Sequence, residues 1–553
     1  MSARLSNRRL RLLLGCFVLV FAGTLARAVW LQGVQASTLE QMASRQHQTT
    51  TEIPAGRGTI FDRTGEPLAI GEQATTVYAD PRQVQNPRRV ALAVQSVLGV
   101  DAEELYPLLA DRSRRFVYVA RKADPAKAAV LERKGLAGLG FYPEELRFYP
   151  QRGVAAHVLG FAGVDNEGLE GLERSLDRAL VGRPGKQTTV TDPAGRVIDI
   201  VATKPERPGE DVFLTIDHRL QANAERVLRE TVKRWGAKGG TAVVLDPRTG
   251  AVLAMAVAPS FDANRFSSTS AERRRNRAVT DLYEPGSTFK VVTVAAVLSE
   301  KLAAPTTSLA VASSIRVADR IIKDHELRPT QQMTLAQILA RSSNVGTIML
   351  AQELGRSRVE QWIDRFGFGR PTGIDAPGES RGLLPAYWSG STIGNVPLGQ
   401  GIGVTAIQMA AAYGAIANGG VLRKPYLVER IGVERRARDR GRRIFSETVS
   451  TQLMAMLRDV VSAEGGTGAA AAVPGYTVAG KTGTASKPVP GGYSDSKYVA
   501  SFVGIVPAKD PRLVISVSID EPSAAIWGGV VAAPAFAEIA RSSLVELEVA
   551  PDG

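Results

Sequence analysis

An almost uncharged segment near the N-terminus, Leu12 to Leu31, constrains the fold of this 553-residue chain more than any other feature. It is about as long as the ~20 apolar residues that a membrane-spanning helix needs. Its one charge, Arg27, lies near the far end beside Trp30, where a long side chain can reach the membrane interface. Arginines and no acids precede the segment. This pattern predicts a cytoplasmic N-terminus and an exported remainder.

Two other interpretations of this segment are open. The first is a cleaved signal peptide, because Ala26-Arg27-Ala28 resembles a small-residue cleavage site. The second is a buried helix of a soluble protein. The apolar segment continues beyond Ala28, which favours the membrane anchor. The only cysteine, Cys16, lies inside the segment. The exported part therefore has no disulfide, and core packing must stabilise it.

The chain as a whole has an ordinary globular composition. Hydrophobic residues make up 44% of the chain and charged residues 22%. These values exclude a wholly disordered chain and a polytopic membrane protein. The formal net charge of +13 suits an anionic partner, but it does not choose among nucleic acid, a lipid surface and an acidic polymer.

Changes of pattern along the chain predict its domains. The proline- and glycine-rich stretch 205–209 marks a boundary, after which helices lie between early and late strands. That order is typical of an α/β or α+β layered domain. We predict a cytoplasmic tail over 1–11, a transmembrane helix over 12–31, a juxtamembrane linker over 32–52, a mixed α/β domain over 53–211 and the layered domain over 212–548.

A serine and a lysine three residues apart form the first motif that carries chemistry. Pro285-Gly286 breaks the chain, and the apolar residues after Lys290 begin a helix, so Ser287 lies in its first turn. The spacing puts the Lys290 amine on the same side as the Ser287 hydroxyl. A desolvated lysine near other cations can lose its proton and activate a serine. Alone, the pattern also fits a helix-capping serine and a surface lysine.

Two further motifs follow in a fixed order. Ser342-Ser343-Asn344 lies within a stretch predicted to be helical from about 334 to 354, and Lys481-Thr482-Gly483-Thr484 follows a strand-like segment. Each alone fits a polar helix patch or a loop. S-x-x-K, then S-x-N, then K-T-G is the signature of penicillin-binding proteins and class A β-lactamases.

The resemblance extends over nearly the whole chain. Residues 57–65, with the sequence Arg-Gly-Thr-Ile-Phe-Asp-Arg-Thr-Gly, and the Gly-Leu-Glu repeats over 168–173 resemble the pedestal of class B penicillin-binding proteins. Residues 399–408 also match that family, and Glu284 before Pro-Gly-Ser is similar to its cell-division members. The resemblance implies a penicillin-binding, serine β-lactamase-like transpeptidase domain over 212–548 on a non-catalytic, dimerisation-like pedestal over 53–211.

The resemblance also implies a reaction, in which Ser287 attacks the D-Ala-D-Ala end of a peptidoglycan stem peptide. Lys290 then takes the Ser287 proton and Ser342 relays a proton to the leaving D-Ala. The resemblance gives the remaining roles to residues of the last two motifs and to one tryptophan. Asn344 holds the substrate amide, and Lys481 supplies positive electrostatic potential. Thr482 and Thr484 bind the terminal carboxylate. Gly483 lets the substrate lie along the strand edge, and Trp527 forms a wall of the site.

Partners and location follow from the same resemblance. We expect donor and acceptor stem peptides, β-lactams, a SEDS-type glycan polymerase and other division membrane proteins as partners, and no nucleic acid. We expect a single-pass protein of the bacterial inner membrane with a periplasmic catalytic domain. No cofactor is implied, and the histidines at 47, 157, 218 and 325 lack the spacing of metal ligands. The alternatives are an elongation-type transpeptidase, a β-lactamase, and a β-lactam sensor or non-catalytic scaffold.

Three short segments match nucleotide-binding or hydrolase motifs, but the strands and helices that should flank each motif are not predicted there. Residues 475–482 fit a P-loop, but they themselves form a predicted strand and no helix can follow. Residues 378–382 fit G-x-S-x-G without a leading strand or a following helix. Residues 401–406 contain a weak dinucleotide pattern that also lacks its strand.

Overall fold

The structure is a computed structural model that describes residues 2–35, 48–191, 197–437 and 439–553. These residues form two compact units. One unit comprises residues 1–56 and 182–208, and the other comprises 57–181 and 209–553. Residues 36–47 of the predicted linker lie outside the described residues.

The strands are numbered in chain order. They are β1 Gln48–Ile53, β2 Ile60–Phe61, β3 Pro67–Ala79, β4 Val117–Ala123, β5 Leu139–Phe148, β6 Phe161–Ala162, β7 Gly168–Glu170, β8 Gly185–Thr191, β9 Val197–Lys204, β10 Val212–Leu214, β11 Gly239–Leu245, β12 Val252–Ala258, β13 Ser308–Val311, β14 Ser314–Val317, β15 Arg320–Lys323, β16 Gln331–Thr334, β17 Val421–Leu422, β18 Val428–Ile431, β19 Glu434–Arg435, β20 Arg442–Arg443, β21 Ala479–Val489, β22 Gly492–Val506 and β23 Leu513–Asp520.

Helices connect most of these strands. The α-helices are Ser2–Val29, Pro87–Leu98, Ala102–Ala110, Pro125–Arg133, Ala156–Leu159, Gly171–Ser175, Asp177–Leu180, His218–Arg234, Ala271–Arg274, Arg277–Thr280, Lys290–Ser299, Leu335–Ala340, Asn344–Leu354, Arg356–Arg365, Thr392–Asn395, Ala406–Ala417, Glu447–Ser462, Gly528–Val531 and Ala533–Glu546. Short 3₁₀ helices are Ala263–Ser268, Gly286–Phe289, Val396–Leu398 and Ala469–Ala471, and Trp30–Val34 is a π-helical turn.

The first unit contains the N-terminal helix and a small sheet. The segment Arg8–Val34 is long and apolar enough to cross a membrane, and its side chains are not buried within the protein. This finding confirms the predicted apolar helix of membrane-spanning length. The sheet has the order β1-β8-β9 with antiparallel pairing, so residues 48–52 of the predicted linker belong to a strand.

In the second unit, one sheet joins the predicted pedestal to the predicted catalytic region. Its order is β19-β18-β10-β2-β3-β4, and β5 pairs with β3. β10 runs parallel to β2 and antiparallel to β18. The sequence boundary placed after residue 211 therefore lies immediately before a strand that bonds to both regions.

A buried ionic cluster holds the two pedestal motifs together. Glu173 is fully buried and accepts hydrogen bonds from Arg57 Nε at 2.7 Å and Arg147 Nε at 2.6 Å. Both arginines are buried, and the Tyr149 hydroxyl also donates to Glu173 at 3.2 Å. Buried charges are stable only when they are paired and hydrogen-bonded. The Arg-Gly and Gly-Leu-Glu motifs thus supply opposite charges to one cluster.

The catalytic region has three layers. Its antiparallel sheet has the order β12-β11-β23-β22-β21, with β21 at one end. Alternate residues of β11 face opposite helical layers. Ala242 and Val244 share a core with the helices His218–Arg234 and Ala533–Glu546, and Val243 lies in the core of the other layer. The predicted layered α/β fold is confirmed.

Glu173→Gln should lower the free energy of unfolding by about 3–5 kcal/mol, because it leaves two buried guanidinium groups without their shared carboxylate. Thermal and urea unfolding of the full chain measure this loss. Glu230→Gln is the control, since Glu230 pairs with Arg226 on the exposed surface. Its effect should stay within about 0.5 kcal/mol. Equal shifts in both variants would contradict the structural role of the cluster.

Candidate active site

The Ser287 turn is a 3₁₀ helix, Gly286–Phe289, that leads into the helix Lys290–Ser299. The predicted helix start is therefore confirmed, with a tighter first turn. Residues three apart eclipse one another in a 3₁₀ helix, so Ser287 and Lys290 lie on one side. The Lys290 backbone N–H donates to the Ser287 carbonyl. Ser287 is partly exposed, whereas Lys290 is fully buried.

Lys290 reaches directly to the second motif. Its Nζ donates to the Ser342 carbonyl at 2.6 Å and to Asn344 Oδ1 at 2.8 Å, and it lies 3.3 Å from Ser342 Oγ. Burial and the charge of the nearby Lys481 lower the pKa of Lys290 well below its usual range, and Asp324 opposes this shift only partly. A neutral amine at this position can accept a proton.

The second motif lies at a break between helices, and the prediction of one helix over 334–354 is wrong. Leu335–Ala340 ends before the motif and Asn344–Leu354 begins within it. Ser342 has φ = +59°, a left-handed conformation that no continuous helix can contain. Ser343 caps the second helix by accepting a hydrogen bond from the Gly346 N–H at 3.0 Å. This break aims the Ser342 carbonyl at Lys290.

Asp324 fixes the position of Asn344, although sequence reasoning missed it. Its Oδ1 accepts from the Asn344 N–H at 2.6 Å and from the Val345 N–H at 3.0 Å. A carboxylate is favourable at a helix N-terminus. Asn344 Nδ2 donates to the Lys323 carbonyl at 2.9 Å, so both ends of the Asn344 amide are held. No local pattern marks Asp324, which lies in a loop far ahead of the motif.

The third motif lies on β21, the end strand of the five-stranded sheet among the described residues. Lys481 is fully buried, and burial lowers its pKa to about 7. Its Nζ lies 3.3 Å from both the carbonyl and the hydroxyl oxygen of Thr482. The expected strand-edge placement of K-T-G is confirmed. The outer edge of β21 can accept an extended peptide as an added strand.

Gly483 packs against the Ser287 turn. A Cβ at this position would lie 2.8 Å from the Pro285 carbonyl oxygen and 2.4 Å from Ser501 Oγ. Only glycine therefore allows the strand to approach the turn this closely. This contact supplies a reason for Gly483 beyond the expected space for substrate.

The two threonines of the third motif have partners within the protein. Thr482 Oγ1 lies 2.7 Å from Thr467 Oγ1, and Thr484 Oγ1 accepts from the Gly528 N–H at 3.0 Å. The motif is thereby joined to the loop that carries Trp527.

Trp527, which the resemblance makes a wall of the site, contacts His325. The two rings meet edge to face, with 5.1 Å between their centroids. Burial lowers the pKa of His325, which follows Asp324 in the chain and lies within electrostatic range of Lys290 and Lys481. His325 therefore lies near the active-site lysines, although its sequence context gave no signal. Trp527 is 47% exposed, and its role as a wall of the site stays a prediction.

One group of possible metal ligands lies elsewhere. Ligand atoms of Asp62, Asp217 and His218 lie within 4.8 Å of one another, a contact that the histidine spacing did not reveal. Asp62 accepts from the His218 ring at 2.6 Å and from the Thr64 N–H at 2.7 Å. Asp217 caps the helix His218–Arg234. The hydrogen bonds of Asp62 and Asp217 are those of a turn and of a helix cap. They join the pedestal to the catalytic region.

The fold and the three motifs together define a class of protein. A partly exposed serine, two buried lysines and a fixed asparagine amide, beside the end strand of an antiparallel sheet, are the parts of a serine acyltransferase that β-lactams acylate.

Family comparisons identify the chain within this class. Residues 240–541 match the penicillin binding protein transpeptidase domain, and residues 52–214 match the penicillin-binding protein dimerisation domain. The chain belongs to the class B penicillin-binding proteins and is a serine-type peptidoglycan D,D-transpeptidase. The resemblance predicted from the three motifs is confirmed.

Individual relatives agree over nearly their full length. The chain is 34% identical to the peptidoglycan D,D-transpeptidase FtsI of Escherichia coli K12, over 98% of this chain and 92% of FtsI. It is 35% identical to the probable peptidoglycan D,D-transpeptidase PenA of Neisseria meningitidis, over 99% and 94%. The crystal structure of penicillin binding protein 3 from Mycobacterium tuberculosis with aztreonam matches with a TM-score of 0.72 and 31% identity, over 91% and 98%.

Proposed function

We propose that this transpeptidase cross-links stem peptides at the division septum through an acyl-enzyme on Ser287. The observation that carries the chemistry is the buried Lys290 amine, which bonds Ser342 and Asn344 one turn from Ser287. The sequence similarity to FtsI and the Glu284-Pro-Gly-Ser pattern of cell-division members support the septal role.

The first half-reaction forms the acyl-enzyme. Neutral Lys290 takes the Ser287 proton while Oγ attacks the carbonyl of the penultimate D-Ala. The backbone N–H groups of Ser287 and Thr484 stabilise the oxyanion, and loss of one such donor typically raises the barrier by about 3–4 kcal/mol. Ser342 passes the proton from Lys290 to the departing D-Ala amine. The donor lies along β21, where Asn344 binds its amide and Lys481, Thr482 and Thr484 receive its carboxylate.

The second half-reaction transfers the acyl group. An amine from a neighbouring stem peptide attacks the ester carbonyl, the new amide C–N bond forms and the C–O bond to Ser287 breaks. The Ser287 hydroxyl regains a proton through Lys290. A β-lactam enters as the donor does, and its opened ring stays on Ser287 because no leaving group departs to make room for the acceptor.

Labelled penicillin should add its mass to the peptide that contains Ser287, and Ser287→Ala should abolish this adduct. Mass spectrometry of the digested full chain measures it. Ser268→Ala, at the exposed end of the 3₁₀ helix Ala263–Ser268, is the matched control and should keep full labelling. An adduct on another residue would contradict the assignment. Turnover of the adduct within seconds would indicate a β-lactamase instead of a transpeptidase.

We also propose that the helix Arg8–Val34 anchors the chain with its N-terminus in the cytoplasm. The arginines before the apolar segment support this orientation. Cysteine labelling tests it, because Cys16 is the only cysteine. A Cys16→Ala, Ser268→Cys chain should react with a membrane-impermeant maleimide once the outer face of the membrane is accessible. Reaction only after the membrane is lysed would contradict the orientation.

Depletion of this protein in its own host should give filaments without septa, and a fluorescent fusion should collect at the division site with a SEDS-type polymerase. The elongation alternative predicts rounded cells and dispersed fluorescence. Ser287→Ala should fail to restore septa, since the septal role depends on catalysis. Restoration by this variant would indicate a scaffold role.

A further inference from the structure

A cavity of about 200 Å³ lies beside the Ser287 turn. Tyr283 and Glu284, which precede the turn, line it together with Ala485 to Lys487 of β21. Gly286 and Ala485 are in contact range, since a Cβ at 286 would lie 3.3 Å from Ala485 Cβ. The cavity therefore borders both the nucleophile turn and the strand that is expected to hold the donor.

Four carboxylates line this cavity, and three of them pair with cations of the same lining. These pairs are Arg275–Asp281 at 2.8 Å, Arg277–Glu272 at 3.6 Å and Lys487–Asp520 at 2.7 Å. The fourth carboxylate, Glu284, differs. Its Oε1 accepts only from neutral donors, the Gly401 N–H at 2.9 Å and the Tyr493 hydroxyl at 3.1 Å.

The second oxygen of Glu284 is buried and has no hydrogen-bond partner among the described residues. Burial raises the pKa of Glu284, and its two neutral donors only partly offset this shift. Burying an ionised carboxylate carries a large free-energy penalty unless a cation pairs with it. Glu284 is therefore the acid of this cavity that lacks a positive partner.

We propose that this cavity receives the amine of the acceptor stem peptide and that Glu284 binds its ammonium group. The proposal rests on the proposed acyl-enzyme at Ser287 and names the second substrate's site. The acceptor amine arrives protonated at neutral pH, so a carboxylate attracts it. Glu284 lies three residues before Ser287, and the cavity that it lines also borders β21, along which the donor is proposed to lie.

The proton balance fits this placement. The bound ammonium gives one proton to the Glu284 carboxylate and becomes a nucleophilic amine. As the amine attacks the ester and the C–N bond forms, its nitrogen gives a second proton to Lys290. Lys290 passes that proton to Ser287 Oγ as the C–O bond breaks, and Glu284 releases the first proton to water.

Glu284→Gln tests the proposal, because it keeps the shape and the two neutral hydrogen bonds but removes the charge. The full chain is given a thioester analogue of the D-Ala-D-Ala donor, and the products of hydrolysis and of transfer to an amine are separated by chromatography. Two acceptors are compared. One is Nα-acetyl-D-lysine, which carries an ammonium group, and the other is its aminooxy analogue, which is uncharged at neutral pH.

The variant should acylate within about twofold of the wild-type rate. The concentration of the lysine acceptor that gives half transfer should rise about tenfold, the effect of a lost charged contact. The aminooxy acceptor should change little. Glu230→Gln is the control, because its carboxylate pairs with Arg226 on the exposed surface outside this cavity. This control should leave the ratio of transfer to hydrolysis unchanged.

Each contrary result has a distinct meaning. If Glu284→Gln acylates normally and needs the same concentration of the lysine acceptor for half transfer, the proposed acceptor site alone is overturned. Equal losses for both acceptors, or slow acylation, would show a structural role for Glu284 and also overturn it. Failure of the wild-type chain to form an acyl-enzyme on Ser287 would overturn the proposed function as well.

Discussion

Two primary amines share one buried space, and the rest of the site depends on this constraint. Lys290 and Lys481 are both fully buried. Burial penalises each charge, and the charge of Lys481 further disfavours a charge on Lys290. The protein can stabilise one ammonium there far more easily than two. In the proposed mechanism, a neutral Lys290 accepts the proton and a cationic Lys481 supplies positive potential, although the two side chains are chemically identical.

Distant parts of the chain hold these amines in place. The left-handed conformation of Ser342 aims its carbonyl at Lys290, and Asp324 fixes the next helix so that the Asn344 amide also reaches Lys290. Gly483 lets the strand that carries Lys481 pack against the Ser287 turn. Such precise placement by surrounding contacts is what lets a side chain react without reorganising first.

Features set by local sequence were predictable, and features set by long-range contacts were not. Pro285-Gly286 followed by apolar residues predicted the helix start. A strand was predicted over 475–479, just before Lys481, but the strand in the structure begins at Ala479 and continues through the motif to Val489. The break at Ser342 depends on tertiary contacts that override helical propensity, so one continuous helix was wrongly predicted. Asp324 and His325 lie in a loop without periodicity. Strands as short as β2 and β10 carry no pattern that reveals their pairing.

The pH dependence of penicillin acylation tests the central claim most directly. Burial and the nearby Lys481 lower the pKa of Lys290 well below its usual range, and the proposed mechanism requires it to be neutral near pH 7. Lys481 loses its charge above a pKa of about 7. The second-order rate constant should therefore peak near neutrality and decline toward about pH 9. A rate that rises about tenfold per pH unit up to about pH 10 would show an ordinary, protonated Lys290 and contradict the account.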